Sequence, residues 1–292
     1  MKRIGFIGLG NMGAKMVINL LKANYDVTGY DVNSKSTEEL VPFGLKKVSN
    51  LQDIPKDVDI IITMLPNGKI VEEVYKNIIN KFKPNTLFTD CSTINVSEAK
   101  RIHEKCKNNK LLSLDAPVSG GVVGAENGTL TFMVGGTTEA YNIMRPLFEV
   151  MGNKSVLCGS ASSGQAAKAC NNMLLAITMI GVGEAFNLGS NLDLDADKLF
   201  EVLSTSSGSC WSINTYCPIK NVGPKSPADN NFQPGFSANL MLKDLSIAVQ
   251  AIKSTKTLAP FGKKAQEKFQ NMIDDQKGNL DFSAIINSNI KL

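Results

Sequence analysis

Short apolar runs alternate with helically spaced apolar residues over roughly the first 160 positions of this chain, and beyond about residue 163 only the helical period remains. The short runs predict strands at Ile4–Ile7, Val27–Tyr30, Val58–Leu65, Thr86–Asp90, Leu111–Asp115, Leu130–Val134 and Ser155–Cys158. Between them, the spacing of Met12, Met16, Val17, Leu20 and Leu21 predicts a helix, and further helices are expected at about 69–81 and at Ser97–Lys107. The run Val58–Leu65 (VDIIITML) is apolar without alternation, as expected of a strand buried on both faces. Repeated strand–helix units imply a parallel, doubly wound sheet of the Rossmann type. Ligands of such sheets bind beyond the carboxyl ends of the strands, where Leu65-Pro66, Cys91-Ser92-Thr93 and Ser119-Gly120-Gly121 fall.

In the second part, Gly164–Leu192 is expected to form one long helix that is apolar nearly all round, buried in a helical domain or at a subunit interface. Later helices are predicted at 195–204, 237–254 and 259–276. A long loop over 205–236 carries the only tryptophan, Trp211, which either anchors the loop by packing or lines a pocket. The expected architecture is therefore α/β: an N-terminal doubly wound sheet (1–162), then an all-helical domain (163–292), joined by the long helix.

The first thirty residues are the most specific. Strand, glycine turn (Gly8-Leu9-Gly10-Asn11-Met12-Gly13), helix and second strand are followed by Asp31. Gly8 permits the tight turn, Gly10 lets backbone approach a pyrophosphate, and Gly13 allows helix and strand to pack closely. The helix start offers N–H groups and partial positive charge to phosphate. Asp31 stands where an acid accepts hydrogen bonds from a ribose 2′-hydroxyl. A carboxylate there repels a 2′-phosphate, and Val32 brings no positive charge, so NAD is expected over NADP; the next basic residue, Lys35, lies four positions on.

Composition narrows the rest. The chain has 292 residues, 43% hydrophobic and 20% charged, with net charge +4 and no basic block of the kind that binds nucleic acid. Six cysteines lack CxxC or metal spacing and are expected to be free thiols, with no metal site. The longest apolar run, Met173–Gly183, is too short to span a bilayer. No signal peptide is expected ahead of a first strand at residue 3. The single histidine, His103, sits in a polar helical segment and is expected at the surface. Histidine–aspartate or zinc-based dehydrogenase chemistry therefore has no obvious residues, and another group must handle the proton.

Lys168 is the candidate. It shares a helix face with Asn172 among Ala166, Ala167, Ala169 and Met173. Such a lysine either snorkels to solvent or is desolvated, its pKa falling from ~10.4 toward neutrality so that it exchanges a proton with a substrate oxygen. Lys243 is a candidate second cation, or else an ordinary helix lysine paired with Asp244 or Glu184. Ser119-Gly120-Gly121 offers a hydroxyl and main-chain donors suited to a carboxylate, or is a plain turn. Tyr216 and Lys220 have YxxxK spacing, but Pro218 between them removes the helix that would align them.

FIGLGNMG (6–13), ITMLP (62–66), DCST (90–93), DAPVSGG (115–121), GTLTFMVGG (128–136), GQAAKACNNMLLA (164–176), SSGSCWS (206–212) and GFSANLMLKDLSIA (235–248) together resemble the β-hydroxyacid dehydrogenases over nearly the whole length. The resemblance implies Lys168 as general acid/base with Asn172 orienting substrate. It places the substrate carboxylate on Ser119, Gly120 and Gly121, with Lys243 by nicotinamide and substrate and Phe236 nearby. It implies Leu65, Pro66 and Thr93 as cofactor lining. Ile70 stands where relatives can place a polar cofactor contact, and Ser209 where close relatives carry Arg. The activity implied is NAD-dependent oxidation of (S)-3-hydroxyisobutyrate to methylmalonate semialdehyde. The alternatives are reduction of succinic or tartronic semialdehyde, or a non-catalytic nucleotide-binding protein on the same fold. Also implied are a homodimer or homotetramer and a small-molecule hydroxyacid substrate; composition adds the expectation of no nucleic acid and no membrane, and the location expected is the mitochondrial matrix if a presequence has been removed, otherwise the cytoplasm.

Overall fold

The computed structural model describes residues 2–288. It forms two compact units, one ending at Lys168 and one beginning at Ala169, so the division falls inside the long helix.

In the first unit the elements run β1 (Arg3–Ile7), α1 (Gly13–Lys22), β2 (Asp26–Tyr30), α2 (Ser34–Glu38), β3 (Lys46–Lys47), β4 (Ile60–Thr63), α3 (Gly68–Ile78), β5 (Leu87–Asp90), α4 (Val96–Asn108) and β6 (Leu112–Asp115). These six strands lie side by side as β3-β2-β1-β4-β5-β6, every neighbouring pair parallel. The expected burial of β4 on both faces is met: Ile60 and Ile62 pack in one core with Phe6, Phe132 and Phe148, and Ile61 in the other with Tyr75, Phe88 and Ile102.

Beyond β6 the sheet departs from a purely parallel plan. A short β7 (Val118–Ser119), a helix α5 (Gly121–Asn127), β8 (Leu130–Gly136), α6 (Thr138–Met151) and β9 (Gly152–Gly159) follow. Strand β8 runs antiparallel to both β6 and β7 and parallel to β9. Helix α6 contains Pro146, a residue that costs a helix interior ~3 kcal/mol. Here the ring is exposed while Ala140, Met144, Leu147, Phe148 and Met151 are buried, and that burial outweighs the cost.

His103 is a correction to the surface position expected. It is 8% exposed, on the face of α4 that also buries Ala99, Ile102 and Cys106. That spacing is a helical stripe; the polar residues around it lie on the opposite face.

Helix α7 (Ser163–Asn191) leads into the second unit, followed by α8 (Ala196–Thr205), α9 (Trp211–Asn214), α10 (Ala238–Thr255) and α11 (Pro260–Asp274). Helix α9 and a turn of 3₁₀ helix at Pro227–Asn230 give structure to the loop expected over 205–236. Ala176, Met179 and Ile180 of α7 share a core with Met241, Leu245, Phe269, Met272, Phe282 and Ile285. The whole of α7 is 29 residues long with an 18-residue window of mean hydropathy 1.4, enough by length and composition to cross a membrane, although its longest unbroken apolar run is short. Ala176, Met179 and Ile180 pack in a core and Gln165, Lys168 and Asn172 are buried, while 39% of that window as a whole is buried. All six cysteines are free thiols.

Asp281 holds the end of the second unit. It is fully buried and accepts from Tyr216 Oη, Gly235 N and Phe236 N, each at 3.0 Å, and from Ser283 N (3.0 Å) and Ser283 Oγ (2.7 Å). Asp281→Ala strands these donors and is expected to lower stability by at least about 3 kcal/mol, read as a lower urea midpoint in equilibrium unfolding.

Candidate active site

The glycine turn has the geometry its spacing predicts. Gly8 has φ +95°, donates to Tyr30 O at 3.0 Å, and would place a Cβ 2.2 Å from Met64 O. A Cβ at Gly13 would sit 2.0 Å from Gly8 O. At Gly10 a Cβ would meet nothing within 4 Å, so this stretch of backbone lies open to a ligand. Helix α1 starts immediately after, with no side-chain cap from Met12. Asp31 accepts from Leu9 N at 2.6 Å and from Asn33 N at 2.8 Å, which ties it to the turn and leaves each oxygen a further lone pair for a ribose hydroxyl. Val32 beside it is 91% exposed, and the Lys35 ammonium is 3.9 Å from Glu39. The open backbone at Gly10, the uncapped helix start and the acid at the end of β2 fit a dinucleotide, and an unphosphorylated ribose best.

Next to this turn, the ends of β4 and β5 are joined through Ser92. Its Oγ donates to Asp90 Oδ1 at 2.6 Å and accepts from Leu65 N at 2.8 Å, so Leu65-Pro66 is fixed relative to Cys91-Ser92-Thr93. Asp90 Oδ1 also accepts from Thr63 Oγ1 at 2.7 Å and from Ser92 N at 3.2 Å, whereas Oδ2 has no hydrogen-bond partner. Burial pushes the Asp90 carboxyl up to about 6, against the lowering pull of the bonds from Ser92 and Thr63. Ile70 lies on the first turn of α3, its N–H donating to Asn67 Oδ1 at 3.0 Å.

The start of α7 docks on the same edge. Asp115, closing β6, accepts from Ser162 N (2.8 Å, Oδ1) and Gln165 N (2.8 Å, Oδ2). The Gln165 side chain donates to Ser92 O at 2.7 Å and accepts from Ile94 N at 3.1 Å. Lys168 follows three residues later and is 7% exposed, so it does not extend into open solvent. His103 completes the network, with Nε2 2.9 Å from Asp115 Oδ1 and Nδ1 2.7 Å from Ser113 Oγ. The chain thus does contain a histidine–aspartate pair, but both ring nitrogens are engaged inside the protein. A carboxylate can only accept, so Nε2 carries a proton. Ser119 ends β7, and Gly120 (φ +130°) and Gly121 (φ +62°) lead into α5, backbone that favours glycine.

In the second unit Asn172, 1% exposed, donates to Asp244 Oδ2 at 2.5 Å, and its Oδ1 accepts from Asn171 at 2.9 Å. Lys243 Nζ is 3.4 Å from Asp244 Oδ1, so Asp244 joins two of the predicted residues; Glu184, the other candidate partner, contacts Lys268 instead. Phe236 packs edge-on against Phe282 at 5.9 Å. Trp211, 48% exposed, stacks on Tyr216 at 4.8 Å, and Tyr216 stacks on Phe282 at 5.6 Å, so the tryptophan anchors its loop with one face. Burial, then the Asp281 charge, raises the Tyr216 hydroxyl, the opposite of what a YxxxK catalytic tyrosine needs. Ser209 is exposed, its Oγ accepting from Asn214 Nδ2 at 2.9 Å. Asp90, Asp115, Gln165 and Asp281 were not singled out from sequence, and Asp244 was named only as a partner for Lys243, which it is. The available signal was an acid at the end of an apolar strand or within an apolar helix, where a charge must be satisfied.

A dinucleotide-binding α/β unit followed by a helical unit, with a nearly buried lysine at the carboxyl edge of the sheet, defines a nicotinamide-dependent dehydrogenase. Residues 3–159 match the family described as the NAD-binding domain of 6-phosphogluconate dehydrogenase. Residues 162–288 match the one described as NAD-binding of NADP-dependent 3-hydroxyisobutyrate dehydrogenase. A solved 3-hydroxyisobutyrate dehydrogenase of Mycobacterium tuberculosis, with L-serine, is 42% identical, covers 99% of each chain and superposes with a TM-score of 0.96. The mitochondrial 3-hydroxyisobutyrate dehydrogenase of Drosophila melanogaster is 42% identical over 97% of this chain and 88% of its own. An NAD-dependent L-serine dehydrogenase of Pseudomonas aeruginosa is 41% identical over 98% and 97%. The chain belongs to the 3-hydroxyisobutyrate dehydrogenase family.

The Asp90 carboxyl makes stability pH-dependent. Its folded-state value of about 6 lies above the ordinary 3.8, so the native state holds the proton more tightly than the unfolded chain. This stabilisation is complete below about pH 4 and lost as pH rises through about 6, amounting to about 3 kcal/mol at ~1.4 kcal/mol per pH unit. Asp90→Asn keeps an acceptor toward Ser92 and Thr63 and cannot ionise. Urea unfolding across pH 4–8 is expected to show the wild type losing stability relative to this variant over that window.

Proposed function

We propose that this protein oxidises (S)-3-hydroxyisobutyrate to methylmalonate semialdehyde with NAD, a step of valine breakdown. The observation that carries this reading is Lys168, nearly buried on the helix that docks at the cofactor edge of the sheet, in a chain whose one histidine is already engaged.

Bound NAD supplies the acceptor for the hydride that leaves C3 of the substrate. The chain's own residues do the rest. The turn Gly8–Gly13 (Gly8, Leu9, Gly10, Asn11, Met12, Gly13) holds the pyrophosphate and Asp31 the ribose, while Leu65, Pro66 and Thr93 line the cofactor. Ser119 and the amides of Gly120 and Gly121 hold the substrate carboxylate. Lys168, as the neutral amine, takes the hydroxyl proton as the C–H bond breaks, and returns it to the carbonyl oxygen in the reverse direction. Asn172 orients substrate, and Lys243 and Phe236 act in substrate binding. In this reading residues 1–162 form the NAD-binding domain and 163–292 the substrate and oligomerisation domain. The protein acts in the mitochondrial matrix where a presequence precedes it, otherwise in the cytoplasm.

Initial rates with (S)-3-hydroxyisobutyrate, L-serine, 4-hydroxybutyrate and glycerate, each with NAD and NADP, test the assignment. The highest kcat/KM is expected for 3-hydroxyisobutyrate with NAD. Preference for NADPH and a dicarboxylic semialdehyde in the reverse direction would overturn it. Lys168→Ala should bind NADH normally and lose ~10²–10⁴-fold in kcat.

We further propose that the enzyme is a homodimer or homotetramer assembled through α7. Leu174 and Leu188 are each 60% exposed and lie on one helical face with Gly181, whose missing side chain leaves open space; Leu192, 62% exposed, extends the patch. Leu188→Glu is expected to reduce the mass measured by light scattering after gel filtration to that of a smaller assembly, while a monomeric wild type would end the proposal.

A further inference from the structure

We propose that Gln165 is a positioning residue for proton transfer at Lys168, and that the proposal rests on the acid–base role assigned to that lysine. Gln165 is 1% exposed, so its amide acts inside the protein. Its two side-chain bonds run to Ser92 O and Ile94 N, the backbone groups on either side of Thr93. The amide orientation is determined by these partners, because a carbonyl needs a donor and an N–H needs an acceptor. Its own N–H is held by Asp115. One residue therefore connects the first turn of α7 to the ends of both β5 and β6.

The close approach of these elements is built in. A Cβ at Gly164 would lie 2.3 Å from Met133 O and 2.6 Å from Asp115 O; one at Gly135 would lie 2.4 Å from Asp115 Oδ1 and 2.7 Å from Gly164 N. Two glycines thus let the helix start press onto the sheet, and the Gln165 amide sets its rotation there. Lys168 stands three residues along, less than one helical turn, so a rotation at Gln165 carries over to its side chain. A shift of about 1 Å at a reacting group can cost 10²-fold in rate.

The test compares Gln165→Met, similar in length with no hydrogen bonds, with Gln165→Glu, each rate normalised to titrated NADH-binding sites. Gln165→Met is expected to lower kcat roughly ten- to hundredfold, leave KM for NAD nearly unchanged, and raise the primary deuterium isotope effect on kcat. When protonated, the glutamate of Gln165→Glu donates to Ser92 O and accepts from Ile94 N as the native amide does. When ionised it faces that carbonyl with a charge. Its kcat relative to wild type should therefore recover as pH falls. Unchanged kcat and isotope effect in Gln165→Met, with Lys168→Ala inactive, would overturn the positioning role and leave the lysine assignment standing. Full activity in Lys168→Ala would remove both. A loss that merely follows the fraction of binding sites would also overturn the proposal. If Gln165→Met yields no folded enzyme, the pH series of Gln165→Glu decides: a constant ratio to wild type refutes it.

Discussion

The carboxylate of Asp115 at the start of α7 is the constraint on which this structure turns. It is 2% exposed, an expensive place for a negative charge unless it is fully paired. Two backbone N–H groups, from Ser162 and Gln165, and the imidazole of His103 pair it. A helix has unsatisfied donors and partial positive charge at its N-terminus, so the acid and the helix satisfy each other's deficits. The cap comes from a strand some fifty residues earlier rather than from the residue ahead of the helix, which makes it a tertiary anchor. Helix α7 cannot start elsewhere without leaving both the charge and the N–H groups unmet. Lys168 takes its place in the first unit from that start.

What could be read from the sequence follows the range over which each force acts. The glycine turn was legible because its requirements are local: a positive φ at Gly8, and no room for a Cβ at Gly13. The long helix and Lys168 were legible because a helical face is a matter of spacing. The misplacement of His103 shows the limit. Its segment is polar on average, yet Ala99, Ile102, His103 and Cys106 form a narrow buried stripe, and the partners that make the ring welcome there lie ten and twelve residues away on β6. Helix α6 carries Pro146, a local penalty that tertiary burial overrides. The antiparallel turn of the sheet at β7 and β8 depends on which strands meet, and apolar runs alone carry no direction. In the second unit, Asp281 gathers two bonds from neighbouring Ser283 and three from Tyr216, Gly235 and Phe236, 45 to 65 residues away, and those distant three are what sequence spacing does not announce.

The same long-range contacts change the argument for proposing a lysine as the proton carrier. Scarcity of histidine suggested it, yet a histidine–aspartate pair is present. That pair is closed on both sides: Asp115 spends its oxygens on α7, and His103 spends its second nitrogen on Ser113. It has the composition of a catalytic pair and the wiring of a structural one. Proton transfer requires a group with a free position toward substrate, and geometry decides before residue type does.

Asp90 and Asp115 make the point quantitatively, since they are register partners on adjacent parallel strands and both are buried. Their surroundings separate them. Asp115 faces a helix N-terminus and an imidazole and has donors on both oxygens. Asp90 has its donors on one oxygen only, leaves the other unmatched, and is pushed up to about 6 chiefly by burial, with the neighbouring Asp115 charge adding to the rise. Two like charges at neighbouring strand ends would repel strongly in a poorly screened interior. Protonation of one removes that conflict while its bonds to Thr63 and Ser92 still tie the ends of β4 and β5 together. This edge of the sheet is thus held by one carboxylate capping a helix start and by a second, beside it, that burial makes readily protonated.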